Sequence, residues 1–177
     1  MKIIKNLLLI LFSIIISIII IEIFLKIFFP QPLSGTWRIQ NKNGLWLNKQ
    51  EGSAKHEFYY NDNKISVRYD FGEYHNRIFK NLIKKTDRPK ILVLGDSFTF
   101  GWLLEDKNTF VYKIQKNYGE YEIINAAAGG WGTSDFLSYI KTYCKIIKPQ
   151  EIIIFYNSSD NMRSINSNLY KLENNRI

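Results

Sequence analysis

The apolar residues of this chain fall into one long run near the amino end and several short runs in the carboxyl-terminal half. Residues 7–29 are Leu, Ile and Phe apart from two serines, one glutamate and one lysine, and Pro30 follows directly. A helix over this segment spans roughly 34 Å, against about 30 Å for the hydrocarbon core of a bilayer. Because proline cannot continue a helix, the pattern predicts a membrane-spanning helix at 7–29 that stops at Pro30.

Two charged residues interrupt the outer third of this run. Glu22 and Lys26 are four residues apart, so they can pair on one face of the helix, and the lysine can reach the interface. A cleaved signal peptide is the alternative, but the run is long for one and no small-x-small site follows it. Lys2 and Lys5 favour a cytoplasmic segment at 1–6, which predicts a single-pass anchor and an extracytoplasmic remainder.

The segment at 30–88 is polar and aromatic, with turn residues between short alternating stretches. Alternation near 56–60 and 64–69 predicts one or two short strands in a lead-in region that carries no recognisable chemistry. His56 and His75 are the only histidines of the sequence. We interpret both as surface or half-buried residues of an irregular segment, because neither has an acidic residue near it in sequence at a spacing typical of a catalytic or ligand-binding site. The break at 87–89 predicts that a domain begins there and occupies residues 89–177.

Strand-like and helix-like stretches alternate in this domain. Short β-branched and aliphatic runs predict strands at 91–94, 122–125 and 151–156. Amphipathic stretches predict one helix at 106–118, capped by Asp106 or Asn108, and a second that opens at 133–135 and ends at Pro149. Such alternation produces right-handed βαβ units, so the predicted fold class is α/β with a parallel sheet of about three strands.

Composition limits the classes of partner and cofactor. The 177 residues are 46% hydrophobic and 15% aromatic, enough for one sizeable domain plus an appendage. The net charge of +8 comes from lysines spread along the chain without a basic run, so we expect no nucleic-acid partner. Cys144 is the only cysteine and lies on the apolar stripe of the second helix, which predicts a small core residue. No metal or organic cofactor is implied.

Three loops follow the predicted strands at their carboxyl ends, where the loops of an open parallel sheet converge on one crevice. In the first loop, Ser97 offers a hydroxyl nucleophile and its own backbone N–H. Gly130 in the second loop offers a backbone N–H that no side chain obstructs, and Asn157 in the third offers a side-chain N–H. The sequence therefore provides one nucleophile and three possible donors to the oxyanion of an acyl-transfer reaction.

Each of these features also has a plainer interpretation. Asp96, which supports Ser97 from the preceding position, can form an Asx-type turn. The loop is not a phosphate-binding P-loop, because no lysine followed by Ser or Thr is present. It is not the nucleophile elbow of the α/β-hydrolases either, because Thr99 stands where a glycine is required. For Trp131, which lies between two glycines, pocket lining and ordinary packing both remain open.

The three blocks together resemble a known family, the SGNH or GDSL-type hydrolases, and especially their membrane-anchored bacterial envelope branch. The blocks are, in chain order, ILVLGDSFTFG, INAAAGGWGTSDF and IIIFYNSSDNMR. The resemblance implies that Ser97 is the nucleophile and first oxyanion donor, that Gly130 is the second donor and that an asparagine after the third strand is the last. It also implies a three-layer α/β/α sandwich with a flavodoxin-like strand order, and ester substrates such as lipids or acylated glycans.

The chain departs from the family pattern at two places. The third block usually reads Gly-x-Asn-Asp, and here serine occupies the asparagine position at Ser159, so we assign the donor to Asn157, with Asn161 as a further candidate. The family's last block, Asp-x-x-His, supplies the general base and is absent, because no histidine follows His75.

We therefore expect a truncated chain with an incomplete sheet, in which the third strand has a bare, isoleucine-rich edge. Its predicted function is that of a membrane-anchored serine ester hydrolase acting on an envelope glycan or lipid. The alternative is a non-catalytic envelope binding or scaffold protein that retains the SGNH sheet.

Overall fold

A computed structural model describes residues 2–29, 35, 37–61, 63–82 and 87–170. The first helix, α1 (Lys2–Phe28), is apolar along nearly its whole length, and its residues Ile3–Phe28 are long and apolar enough to cross a membrane. The Nζ atom of Lys26 lies 3.0 Å from an oxygen of Glu22, as the four-residue spacing predicts. The helix could be a membrane span or a signal anchor, and the predicted stop at Pro30 lies outside the described residues.

The chain divides into two compact units. One comprises Met1–Ser34 and Glu57–Ile65, and the other comprises Gly35–His56 and Ser66–Ile177. The first unit contains α1, and within its second segment Lys64 pairs with Glu57 at 2.8 Å. The second unit contains every residue that the sequence singles out for chemistry.

Three parallel strands form the part of the sheet that the sequence predicts. They are β6 (Lys90–Gly95), β7 (Glu122–Asn125) and β8 (Glu151–Phe155), and β6 lies between the other two. The predicted bounds of the second strand are confirmed, the first strand is one residue longer than predicted at each end, and the third ends one residue earlier than predicted. The alternating apolar pattern was therefore sufficient to identify the parallel strands.

The prediction of about three strands is wrong, because the lead-in region also contributes to the sheet. Its strands are β1 (Arg38–Gln40), β2 (Trp46–Asn48), β3 (Gly52–Tyr60), β4 (Asn63–Phe71) and β5 (Arg77–Ile78). β1 and β2 form a separate antiparallel pair, whereas the main sheet has six strands in the order β3-β4-β5-β7-β6-β8. The lead-in strands enter it through β5, where Arg77 pairs antiparallel with Asn125 of β7.

Four further helices follow or separate these strands: α2 (Ser97–Phe100), α3 (Phe110–Asn117), α4 (Thr133–Ile147) and α5 (Asp160–Ser167). The predicted cap of α3 at Asp106 or Asn108 is wrong, because those residues form a 3₁₀ turn and the hydroxyl of Thr109 accepts from Tyr112 N–H instead. The start of α4 agrees with the prediction. The sequence pattern did not predict α2 or α5, since each is too short to show a helical period.

Alternate residues of the parallel strands pack on opposite faces of the sheet. One core joins α4 and the β1–β2 hairpin to the even-numbered strand residues Leu92, Leu94 and Ile124. The other joins α3 to their odd-numbered neighbours, Ile91, Val93 and Ile123. Cys144 packs against the first core, in agreement with its predicted role as a small apolar residue. Helices therefore cover both faces of β6 and β7.

β8 forms one edge of the sheet, as predicted, and among the described residues its side chains before Phe155 belong to neither core. Its side chains Ile152, Ile153 and Ile154 are 41%, 36% and 46% exposed, whereas their partners on β6 are buried. An exposed apolar edge strand is a template for pairing with other chains.

We expect Ile154→Lys to raise the protein concentration at which the detergent-solubilised chain begins to aggregate, as measured by light scattering. Lysine on an edge strand disfavours pairing with a second edge. The matched control is Ile146→Lys, because Ile146 is 62% exposed but lies on α4 rather than on the strand edge. Equal improvement by both variants would show that general surface hydrophobicity, and not the edge, causes aggregation.

Candidate functional site

The turn that presents Ser97 is built by the three residues that end β6 and begin α2. A Cβ on Gly95 would lie 2.2 Å from the hydroxyl oxygen of Thr99, so only glycine fits beneath the turn. Asp96 is the cap of α2, and one of its carboxylate oxygens accepts from Phe98 N–H at 2.9 Å. The Asx-type turn expected for Asp96 is thus present, and it fixes Ser97 as the first residue of a helical turn.

Ser97 lies against the second loop. Its Cβ is 3.8 Å from the position that a Cβ would take on Gly129, so the two loops are in van der Waals contact. The backbone N–H of Ala128 also donates to Gly95 O at 3.2 Å. Ser97 is half-buried, and its hydroxyl makes no hydrogen bond with any residue that the structure describes. This side chain is therefore available to an incoming group.

The second loop carries Gly130 at the surface with φ of 78°, a conformation that glycine adopts without strain. Ala128, two residues earlier, is fully buried and holds the loop to the sheet. Trp131, which follows, is 1% exposed, and its indole N–H donates to Trp46 O at 2.5 Å. For Trp131 the structure favours packing, although part of its ring borders a cavity described below.

The side chain of Asn157 forms hydrogen bonds within the turn of the third loop. Its side-chain oxygen accepts from Ser159 N–H at 3.1 Å, which identifies the oxygen and leaves the amide Nδ2 with no hydrogen bond among the described residues. The backbone N–H of Asn157 donates to a carboxylate oxygen of Asp160 at 2.8 Å. Asn161, the other candidate, is exposed in the first turn of α5.

Arg163 connects the first loop to the third, and the sequence analysis did not find this role. Its Nη1 lies 2.7 Å from one oxygen of Asp96 and 3.1 Å from one oxygen of Asp160. The side chains of both acids are 3% exposed or less, so this single cation compensates two buried carboxylates. In the sequence, the three-residue spacing between Asp160 and Arg163 could have suggested that these two residues pair. Their bridge links the turn at Ser97 to the turn at Asn157.

A second close contact joins the second loop to the third. A Cβ on Gly132 would lie 2.3 Å from the backbone oxygen of Asp160 and 2.7 Å from the backbone nitrogen of Ser164. The start of α5 therefore rests directly on the start of α4. All three loops that the sequence predicts to converge lie in contact through these links.

Arg77 of the lead-in region forms hydrogen bonds with the backbone of the segment that follows Ser97. This side chain is 1% exposed and donates to three backbone oxygens in the segment that follows Ser97, those of Phe100, Gly101 and Leu104, at 2.8–3.0 Å. It also pairs with Asp106 at 2.8 Å. The prediction that the lead-in carries no recognisable chemistry missed this residue, because an isolated arginine gives no pattern in sequence.

The two histidines are packed among aromatic rings. His75 is buried, its Nδ1 donates to Asn48 O at 2.7 Å, and its ring contacts Tyr143 edge-on. His56 lies between Trp37 and Trp102. Burial lowers the pKa of both side chains below the ordinary value, which favours the neutral ring. Both side chains are 7% exposed or less, so the prediction that they lie at the surface or half-buried is wrong, and His56 lies in a strand rather than in an irregular segment.

Comparisons of the chain with family models, with curated proteins and with solved structures gave no match in any of the three.

Proposed function

We propose that this protein is a membrane-anchored serine ester hydrolase of SGNH type that acts on acyl or acetyl esters of an envelope glycan or lipid. The observation that carries the proposal is the position of Ser97. Its Cβ lies against Gly129, where the three parallel strands β6, β7 and β8 have their carboxyl ends. Gly130 follows directly, and Asn157 retains a free amide N–H in the linked third loop.

The finer fold that goes with this proposal is a flavodoxin-like three-layer sandwich. It is supported by the order β7-β6-β8, which places the first parallel strand between the second and the third. It is also supported by the two cores, which place α3 and α4 on opposite faces of the sheet. In such a fold, reactive groups collect at the carboxyl ends of the strands.

The chemistry assigned to the site is acyl transfer to Ser97. The hydroxyl oxygen attacks the ester carbonyl, the alcohol leaves, and water later releases the acid from the acyl-enzyme. The backbone N–H groups of Ser97 and Gly130 and the amide of Asn157 stabilise the oxyanion, and each such donor is typically worth about 10² to 10³ in turnover. The proton of Ser97 requires a base, and no described side chain hydrogen-bonds to this hydroxyl.

The location belongs to the same proposal. We assign α1 as an uncleaved single-pass anchor with a cytoplasmic amino end, so that the sheet-containing unit faces an envelope substrate outside the cytoplasm. The support is the length of the apolar helix and the pair between Glu22 and Lys26, which lowers the cost of placing two charges near the interface.

A fluorophosphonate probe tests the proposed nucleophile in the full chain in detergent micelles. We expect covalent labelling at Ser97, accelerated by added imidazole, which can supply a base to the hydroxyl. Ser97→Ala should abolish the labelling, and Asn157→Ala should slow it about 10²-fold or more. The control is Ser66→Ala, which removes an exposed hydroxyl of β4 and should leave labelling unchanged.

The same experiment decides between this function and a non-catalytic binding or scaffold module. The observation that favours the module is the unbonded hydroxyl of Ser97, because a serine without a base is a weak nucleophile. A folded protein that the probe does not label, with or without imidazole, would support the module and remove the hydrolase proposal.

A further inference from the structure

A cavity of about 330 Å³ opens beside Gly130, a volume within the range of small-ligand sites. Four parts of the second unit form it: the β1–β2 hairpin, the second loop, the first turn of α4 and α5. Its walls include Arg38, Gln40, Trp46, Gly130, Trp131 and Arg163. A group bound here would lie next to Gly130, whose backbone N–H we propose as an oxyanion donor.

Arg38 lies at the side of the cavity that borders Gly130. One terminal nitrogen of its guanidinium lies 4.0 Å from the position that a Cβ would take on Gly130. The guanidinium carbon also lies 5.2 Å from the centre of the Trp46 ring, which holds the planar group by a cation–π contact. The side chain is exposed and has no hydrogen bond or ion pair with any described residue. Its N–H donors are therefore unused.

The other charged groups of the cavity already have partners. Arg163 is held by Asp96 and Asp160, as described above. Asp135 is buried and accepts from Gly132 N–H at 2.9 Å, and its burial raises the pKa of its carboxyl group. Although Arg38 is exposed, neighbouring protein atoms partly desolvate its guanidinium and lower its pKa, and the attraction of Asp135 opposes that effect. Among the described residues that line this cavity, Arg38 is thus the cation that is available to a ligand.

We propose that the cavity binds an anionic group of the ester substrate, a carboxylate or a phosphate, and that Arg38 selects for it. The planar guanidinium offers two parallel N–H donors that match the oxygens of either anion, a geometry that an ammonium group lacks. The Trp46 ring restrains the guanidinium, and because Arg38 lies near Gly130, an anion bound to it would lie close to the ester under attack. This inference rests on the proposed function, which supplies the ester substrate. What it adds is that the substrate carries a negative charge.

Binding to three acetylated sugars tests this inference without requiring turnover. The ligands are O-acetylglucuronate, O-acetylglucose 6-phosphate and neutral O-acetylglucose, titrated by ligand-observed NMR against the full chain in nanodiscs of zwitterionic phosphatidylcholine. We expect at least one anionic sugar to bind roughly tenfold or more tightly than the neutral one, because hydrogen bonds to a charged group are strong. The preferred anion identifies carboxylate or phosphate as the natural group.

The variants assign the preference to one residue. Arg38→Gln should abolish it, Arg38→Lys should retain part of it, and Arg68→Gln, which removes a positive charge from a different cavity, should leave it intact. Equal binding of the charged and neutral sugars, no binding of any, or a preference that survives Arg38→Gln would overturn the proposal. Ser97 labelling is measured separately, so a retained preference without labelling removes the hydrolase and keeps the anion site.

Discussion

Arg77→Met is expected to lower the free energy of unfolding of the sheet-containing unit by about 3 to 5 kcal/mol, the range for breaking a buried charged pair. The substitution leaves Asp106 without its partner and the backbone oxygens of Phe100, Gly101 and Leu104 without their donor. Methionine retains most of the volume between the rings of Tyr69 and Phe100, so the substitution leaves little empty space. The decrease in the free energy of unfolding therefore reports the lost polar contacts.

A thermal melt of the full chain in nonionic detergent, followed by tryptophan fluorescence, measures this effect. For a chain of this size the loss corresponds to roughly 6 to 20 °C in Tm. The control is Arg68→Met, because Arg68 is 63% exposed and its partner Asp70 also pairs with Lys80. We expect that control to lose less than about 1 kcal/mol. Equal losses for the two variants would mean that Arg77 does not hold the segment after Ser97.

Gly132→Ala is expected to cost about 3 kcal/mol, near the upper end for overpacking, because the added methyl group meets backbone atoms that cannot rotate away. Those atoms are the oxygen of Asp160 at 2.3 Å and the nitrogen of Ser164 at 2.7 Å. Moving α5 to relieve the clash shifts Asp160 and Arg163 as well. We therefore expect slower fluorophosphonate labelling of Ser97 together with a lower Tm.

Gly119→Ala is the matched control, because nothing lies within 4 Å of the position that its Cβ would take. This variant should keep both Tm and labelling. A wild-type Tm for Gly132→Ala would show that the loops do not rest on each other as closely as 2.3 Å requires. A lower Tm with normal labelling would separate the packing of α5 from the position of Ser97.

Much of the candidate site could be predicted because its residues are near neighbours in sequence. Gly95, Asp96 and Ser97 are consecutive, and a run of aliphatic residues before them predicts the strand that they terminate. The turn follows from the side chains alone, since Asp96 reaches Phe98 N–H across two residues. The roles of Ser97, Gly130 and Asn157 in catalysis stay predictions.

The parts that could not be predicted depend on residues far apart in the chain. Arg163 lies 67 positions from Asp96, and the strands from β2 to β7 lie between Arg38 and Gly130 in sequence. A single arginine forms no periodic pattern and no motif in the sequence, so its partner can be identified only from the folded structure. The number of strands in the lead-in region was underestimated for a related reason. Partial alternation of apolar and polar residues does not show which strand of the sheet a segment pairs with.

The sequence by itself determined the apolar helix, the parallel strands and the glycine-rich turns, because hydrophobic period and local turn chemistry act over a few residues. Only the tertiary structure decided that six strands share one sheet, that Arg163 bridges two of the loops and that Arg38 stands beside Gly130. Those features require contacts between distant segments, and such contacts depend on how the strands pair and on which side chains burial forces together.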